Sequence, residues 1–421
     1  QNFHYVKIII KNFLIFFFTK FFYSDRKIIK PITVVDTFVT HEDFRKDRYY
    51  NNYFINKKYI YQVPTFVNLS IFKILKYLKS TKNKNLIMKS KFLFWNDFFY
   101  SIMFYRRIRK IKIKNIFFDK LNIKNLVNAE LKLTKNFNAS IIGIQNYLFA
   151  KNLSQSKINL QNIIDWNENS CVDKGWNFGF RSFYPNIDTY GYQNYFVEKK
   201  LSSLDITRNE VVSKTCPKYL LTIGINVKKA RSEFTNKIHF LNTRPLRFEY
   251  IYKKKFYKKK YDNRIILLLN LDINDNIEII NNVLETNFSK ENNLIYIKEH
   301  PLLKLNNYYK KKLPNNFKII NGKFDKIIEK FKVVISTGST SSVFESILLG
   351  AKVLFPVNNY YDKLNLKLLK VPKHLYQVCD TTKKLDLFIN KYLRQEIGKY
   401  KYYADKRNLQ KFINYNKNKL F

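Results

Sequence analysis

Two stretches decide the fold: Leu294-Ile295-Tyr296-Ile297-Lys298-Glu299-His300-Pro301 and Val333-Val334-Ile335-Ser336-Thr337-Gly338-Ser339-Thr340-Ser341-Ser342-Val343-Phe344-Glu345-Ser346-Ile347-Leu348-Leu349-Gly350. Each opens on an apolar run of the length of a buried strand. In the second, a loop of hydroxyls closes the strand and opens a helix. Such a loop is an anion site, because the first helical N–H groups lack intrahelical acceptors and the helix dipole adds positive potential. In the first, Pro301 stops the strand and leaves His300 at its end. Open α/β sheets bind ligands beyond the carboxyl ends of their strands. His300 and the Ser/Thr loop, expected on adjacent strand ends, therefore predict one site for a phosphate-bearing ligand.

Around these stretches strands and helices alternate. Strands are predicted over 265–269, 294–298, 317–320, 333–336, 352–355 and 375–378, and helices over 275–286, 324–331, 341–349 and 381–393. Near-continuous apolar strands alternating with helices mean a parallel, doubly wound α/β sheet. The earlier part predicts a strand over 32–39, helices over 73–78 and 98–109 with Asp97 as N-cap, and a strand over 141–144 feeding a helix over 145–151. The expected organisation is a first, acceptor-side α/β domain over 1–245 and a basic connector over 246–262. A second, donor-binding Rossmann-like domain follows over 263–395, then a helical tail over 396–421. The connector carries Lys253-Lys254-Lys255 and Lys258-Lys259-Lys260, readable as a solvated loop or as a lipid- or substrate-facing patch.

The 421 residues suffice for two domains with real cores, and 46% apolar composition excludes a disordered chain. Lys plus Arg number 77 against 32 acids, a net charge of +45, which points towards nucleic acid or an anionic membrane. The excess is spread along a chain saturated in Lys, Asn, Ile, Phe and Tyr. Most of it is therefore expected to be solvated surface, with some available to anionic lipid. Cys171, Cys216 and Cys379 have no metal or redox spacing and fit a reducing compartment. The apolar stretch 8–23 is broken by Lys11 and Lys20 and falls short of the roughly 20 residues of a membrane span. A buried strand or helix is expected there.

Composition shifts between Trp166 and Gln193, which holds Trp166, Trp176, Gly175, Gly179 and Gly191 in a chain with only three Trp and nine Gly. Rings mixed with Asn169, Arg181, Tyr184 and Gln193 suit an acceptor sugar, stacking on its apolar faces and bonding its hydroxyls. The alternative is a structured loop whose tryptophans belong to the core. Glu168, beside Trp166, is the candidate general base, and its alternative role is to hold the loop by hydrogen bonds. Asp36, near the expected end of strand 32–39, and Asp173 are the other carboxylates.

On the donor side, His300 would bond the phosphate, surrounded by Lys298, Glu299, Thr337, Gly338, Ser339, Thr340, Ser341 and Ser342. Glu345, one turn into the helix, suits a ribose hydroxyl. There is no Gly-x-Gly-x-x-Gly and no lysine-bearing phosphate loop, which weakens dinucleotide and ATPase readings. No Asp-x-Asp and no His/Cys cluster occurs, so no catalytic metal and no cofactor beyond a nucleotide-sugar substrate is expected.

At His300-Pro301 and Ser339 to Ser342 the chain resembles the two-domain glycosyltransferases called GT-B. More narrowly, it resembles bacterial surface-carbohydrate transferases related to capsular polysialyltransferases and teichoic-acid polymerases. Asp36-Thr37-Phe38-Val39, Asp47-Arg48-Tyr49-Tyr50 and the Trp166–Gln193 block are similar to surface-carbohydrate (O-antigen) biosynthesis proteins. The resemblance implies two Rossmann-like domains facing a cleft and a nucleotide-sugar donor gripped by His300 and the hydroxyl loop. It also implies an acidic base from the first domain and metal-independent, inverting transfer to a polysaccharide or lipid-linked acceptor. The expected location is cytoplasmic, peripheral to the inner membrane face. The acidic pair with glycine that supplies the base in those families is absent here. Polyol-phosphate transfer or nucleotide-sugar epimerisation on the same fold, a basic nucleic-acid-binding protein and an inactive scaffold are the competing readings.

Overall fold

The computed structural model describes residues 2–22, 28, 31–45, 47, 49–55, 57–81, 85–133, 137–193, 204–224, 228, 231–232, 235–253, 264–301, 303–337, 341–356 and 371–395. Strands β1 (Ile32–Val39) and β2 (Ile60–Phe66) are largely β-branched and aromatic and are buried along most of their length. That is the pattern of a parallel strand covered on both faces. A short hairpin follows, β3 (Phe117–Phe118) with β4 (Leu121–Asn122). The first sheet then continues with β5 (Leu160–Trp166), β6 (Asp188–Gln193), β7 (Tyr219–Thr222) and β8 (His239–Asn242). Its order is β2-β1-β5-β6-β7-β8, parallel throughout.

The second sheet contains β9 (Ile265–Leu268), β10 (Ile295–Lys298), β11 (Phe317–Ile319), β12 (Val333–Ser336), β13 (Lys352–Pro356) and β14 (Tyr376–Cys379). Its order is β11-β10-β9-β12-β13-β14, again all parallel. Strand order reverses between β1 and β5 in one sheet and between β9 and β12 in the other, so each has a switch-point crevice beyond its carboxyl edge. The predicted elements of this second sheet recur within about two residues of their expected bounds, except the helix over 324–331, which ends at Ile328. Local signals explain why: Thr381 caps the helix Thr382–Arg394 by accepting from Lys384 N at 3.2 Å, and Gly350 ends the helix Ser341–Leu348 with φ +85°.

Elsewhere the structure corrects the reading. Residues 141–144 are not a strand but part of the helix Phe137–Gln155. That helix is buried at residues all around its circumference, so it lacks the apolar period that separates helix from strand. The predicted helix 98–109 is two short ones, Trp95–Ile102 and Phe104–Ile108, and Asp97 caps from inside the first by accepting from Phe94 N at 2.9 Å. The stretch 8–23 falls largely within the helix Asn2–Phe22, and no helix among the described residues is long and apolar enough to cross a membrane.

The Trp166–Gln193 block is strand, helix and strand: the end of β5, the helix Cys171–Phe183, and β6. A Cβ added at Gly175 would lie 1.9 Å from the Gly143 carbonyl oxygen. Glycine here serves contact between the backbones of two helices. Phe248 and Ile251, in the first part of the predicted connector, are buried against Ile266, Val334 and Phe344 of the second sheet's core. The connector lysines Lys254, Lys255, Lys258, Lys259 and Lys260 and the tail 396–421 lie outside the described residues.

Candidate active site

A cavity of about 810 Å³ lies between the carboxyl edges of the two sheets. Leu268 and Leu269, at the end of β9, contribute to its lining. Lys298, Glu299 and His300 enter from the end of β10, and Ser341, Ser342 and Glu345 from the start of the helix after β12. The opposite wall is the loop after β1: Thr40, His41, Arg45, Asp47, Asn51 and Asn52. His300 and the serines thus share one cavity, but not as neighbours. β9 lies between β10 and β12, because this sheet adds strands outward on both sides of its first one.

Donor-side residues differ in what they are committed to. Burial lowers the Lys298 ammonium below its ordinary value, with Lys304 adding to the effect. Glu299 is turned towards its own loop, accepting from Leu305 N at 2.9 Å and from Lys310 Nζ at 3.1 Å. Burial would raise its carboxyl, but Lys310 and the Leu305 N–H hold it below the usual range. Glu299 therefore holds Leu305 and Lys310 rather than presenting a carboxylate to a ligand. Thr337 is buried, and its Oγ1 accepts from Asn270 Nδ2 at 2.6 Å. That bond ties the ends of β9 and β12 across the switch point. Glu345 accepts from the Tyr250 hydroxyl. Burial, and then Glu345 itself, raise that phenol. Gly338, Ser339 and Thr340 lie outside the described residues.

The acceptor-side expectations fare differently. Trp166 and Trp176 are both 0% exposed. Trp166 packs on Tyr49 and Tyr192, and Trp176 on Phe149 and Phe180. Neither ring offers a face to a sugar. Asn169 Nδ2 donates to Asp205 O at 3.2 Å, Arg181 to Cys216 O at 2.9 Å, and the Tyr184 hydroxyl to Ile158 O at 3.0 Å. Gln193 is buried and donates to Asn167 Oδ1 at 3.4 Å. None of the six lines the cavity between the sheets. Glu168 is exposed and away from that cavity, where it accepts from Trp166 Nε1 at 2.7 Å. This is its alternative role, holding the loop.

Asp36 is also misplaced by the sequence reading. It lies inside β1, not at its end, because pairing with β2 continues to Val39 opposite Phe66. Its carboxylate is wholly buried, accepts from Thr65 Oγ1 at 2.8 Å and lies 3.7 Å from Lys89 Nζ. It belongs to a buried polar group under the first sheet's edge with Asp165 and Asp173. Burial raises all three carboxyls, Asp165 to about 7. Asn177 Nδ2 donates to Asp165 at 2.9 Å, and Ser170 N to Asp173 at 2.8 Å.

Asp47, quoted above only within a motif of the resemblance, was given no role in the site by the sequence. Its Oδ1 accepts from Tyr49 N at 2.9 Å and Tyr50 N at 3.2 Å, while Oδ2 has no hydrogen-bond partner among the described residues. Burial raises its carboxyl. It is the one carboxylate on the first-domain wall among the described lining residues. Nearby, His41 Nδ1 accepts from Asp43 N at 2.9 Å, which places the neutral imidazole's proton on Nε2 and makes it a donor.

The sequence matches no protein-family profile and no curated protein. Solved structures do share the fold. Arabidopsis thaliana UGT89C1 complexed with UDP-L-rhamnose aligns with a TM-score of 0.50 at 11% identity, over 92% of this chain and 95% of that one. The S. aureus MnaA–UDP co-structure aligns with a TM-score of 0.50 at 10% identity, over 92% and 93%. What the alignments share is architecture: two Rossmann-like domains facing a cleft, the arrangement called GT-B.

Proposed function

We propose that the chain is an inverting glycosyltransferase that takes a sugar from a nucleotide-activated donor. One observation carries the reading: cation, imidazole and hydroxyl donors line one wall of a cavity whose other wall holds Asp47. The acceptor hydroxyl oxygen attacks the anomeric carbon as the bond from that carbon to the donor phosphate oxygen breaks. The bonding pair leaves on the nucleotide phosphate. Lys298, His300, Ser341, Ser342 and the N-terminus of the helix Ser341–Leu348 take up the developing charge. Asp47 accepts the hydroxyl proton, and the carboxyl raised by burial suits that task. This replaces Glu168 and Asp36 as base. Two proteins of this fold were solved with UDP or UDP-L-rhamnose, which supports a nucleotide-sugar donor. The resemblance at His300-Pro301 and the serine loop supports a surface polysaccharide or its lipid-linked precursor as acceptor. The proposal includes metal independence, which a transfer rate unchanged by a chelator would support and a rate abolished by one would overturn.

Thermal-shift titration with CMP, CDP, UDP, GDP and dTDP tests this, since a ligand of the native state raises apparent stability. At least one pyrimidine nucleotide raises Tm, and His300→Ala abolishes the rise. Asp47→Asn keeps nucleotide binding and loses transfer by about 100-fold or more. Binding untouched by His300→Ala, or no nucleotide binding at all, would end the proposal. A free epimerised nucleotide sugar as product would move the protein to the epimerase reading.

A further inference from the structure

The helix Asn2–Phe22 is apolar on both faces: Tyr5, Ile8, Ile9, Ile15 and Phe16 pack inward, yet large apolar side chains also face outward. Its inner face buries Asn12 and Thr19 with Phe16, and its outer face carries Val6, Ile10, Phe13 and Phe21 in the open. Thr19 is satisfied inside by Ser90 at 2.7 Å, and Asn12 by Asn138 at 3.0 Å. The apolar outer stripe continues sideways. Phe13 and Phe21 both meet the Trp95 ring, and Trp95 meets the exposed Phe99. Beyond these helices the chain runs out to the β3–β4 hairpin, whose tight turn holds Asp119 and Lys120 at φ +43° and +68°. Its three apolar side chains are bare: Phe117 is 65% exposed, Phe118 70% and Leu121 68%. Large exposed apolar surfaces of this kind mark an interaction site.

Charge identifies the partner. Between positions 106 and 124 stand eight lysines and arginines against one carboxylate, Asp119. The even spread expected from composition does not hold here. A polyanion is called for, and it must also accept aliphatic side chains. Nucleic acid stacks on rings but offers nothing to Leu121 or to the helix stripe of Val6 and Ile10. A bilayer offers both, headgroup charge for the basic residues and an acyl boundary for the apolar ones. We infer that the outer face of the helix Asn2–Phe22 and the β3–β4 arm form a docking surface for an anionic lipid membrane. This deepens the reading of a membrane-linked acceptor by naming the contacting surface. It needs no catalysis, so vesicle binding and nucleotide binding succeed or fail separately.

Sedimentation of the full chain with vesicles tests it. Vesicles of phosphatidylcholine with about one-third phosphatidylglycerol pull the protein down, and pure phosphatidylcholine vesicles do not; the bound fraction falls as salt rises. Phe117→Ser/Phe118→Ser/Leu121→Ser and, separately, Lys110→Glu/Lys112→Glu/Lys114→Glu each lower the partition coefficient at least about tenfold. Both variants keep the parental Tm and nucleotide shift, since the altered residues are on the surface. No sedimentation with anionic vesicles at low salt overturns the inference. So does equal binding by either variant. So does an arm-dependent dimer, or arm-dependent oligonucleotide binding, without vesicle binding.

Discussion

Replacing Lys89 by Met tests whether Asp36 is structural. Asp36 is completely buried, with Lys89 Nζ 3.7 Å away and Thr65 Oγ1 donating at 2.8 Å. Lys89 Nζ also donates to Thr65 Oγ1 at 2.6 Å, so the three side chains form one unit. Without the ammonium, the Thr65 hydroxyl and the Thr37 backbone N–H are left to the carboxylate, and among the described residues Oδ2 has no hydrogen-bond partner even in the parent. The variant must protonate Asp36 to stay folded. From the ordinary value of 3.8 up to pH 7 that is about 3 pH units, or about 4 kcal/mol. Breaking a buried ion pair typically costs about 3–5 kcal/mol. Burial already raises Asp36 in the parent, which places the expected loss near the lower figure, about 3 kcal/mol. The sign with pH is fixed. The folded variant holds a proton that the unfolded chain sheds above about pH 4, so stability falls as pH rises, by about 1.4 kcal/mol per unit, until the folded carboxyl itself ionises. Urea unfolding at pH 5, 6 and 7, followed by tryptophan fluorescence, reads this. Trp95, Trp166 and Trp176 all lie in the part of the chain that builds the first sheet. Asp36→Asn/Lys89→Met recovers most of the loss and keeps the His300-dependent nucleotide shift, because neither residue lines the cavity. A Lys89→Met protein within 1 kcal/mol of the parent with no added pH slope would refute the reasoning. Loss of nucleotide binding in the double variant would refute it equally.

Asp165, raised by burial to about 7, makes the parent itself pH-dependent. Its folded form keeps a proton that the unfolded chain releases, so stability declines from about pH 4 to about pH 7 and then levels; Asp165→Asn removes about one proton from that slope, and an unaltered slope in urea titrations would count against the assignment. Gly175→Ala drives a methyl into the Gly143 carbonyl, and the nearest atoms, Gly143 O, C and Cα, are backbone and cannot swing aside. A cost of about 3 kcal/mol or more is expected, read as a lowered Tm, and a parental Tm would show that the two helices are not in such contact.

The second sheet was readable because its signals are local. Ile265–Leu268, Ile295–Lys298 and Val333–Ser336 are short apolar runs closed by Asn, His-Pro or a hydroxyl loop, and each run forms its strand without reference to distant residues. His300, Ser341 and Ser342 follow from those strand ends. The helix Phe137–Gln155 was hidden for the opposite reason. Its neighbours cover its circumference, and that removes the period a sequence displays. Trp166 and Trp176 looked like ligand platforms because composition reports what a side chain is and not what lies against it.

Linear order therefore settles the alternation of strand and helix and the strand ends that form the anion-binding edge of the second sheet, which come from contacts within about one turn or one strand; alternation with short apolar runs then makes the sheets parallel. Which carboxylate meets that edge is a different kind of fact. Asp36 and Asp47 lie eleven positions apart. The first is enclosed between strands and helices, and the second joins the wall facing His300. Strand order and the approach of the two sheets make that choice; the first joins strands as far apart as Thr33 and Asn162, and the second brings Asp47 to a wall of the cavity that His300 also lines.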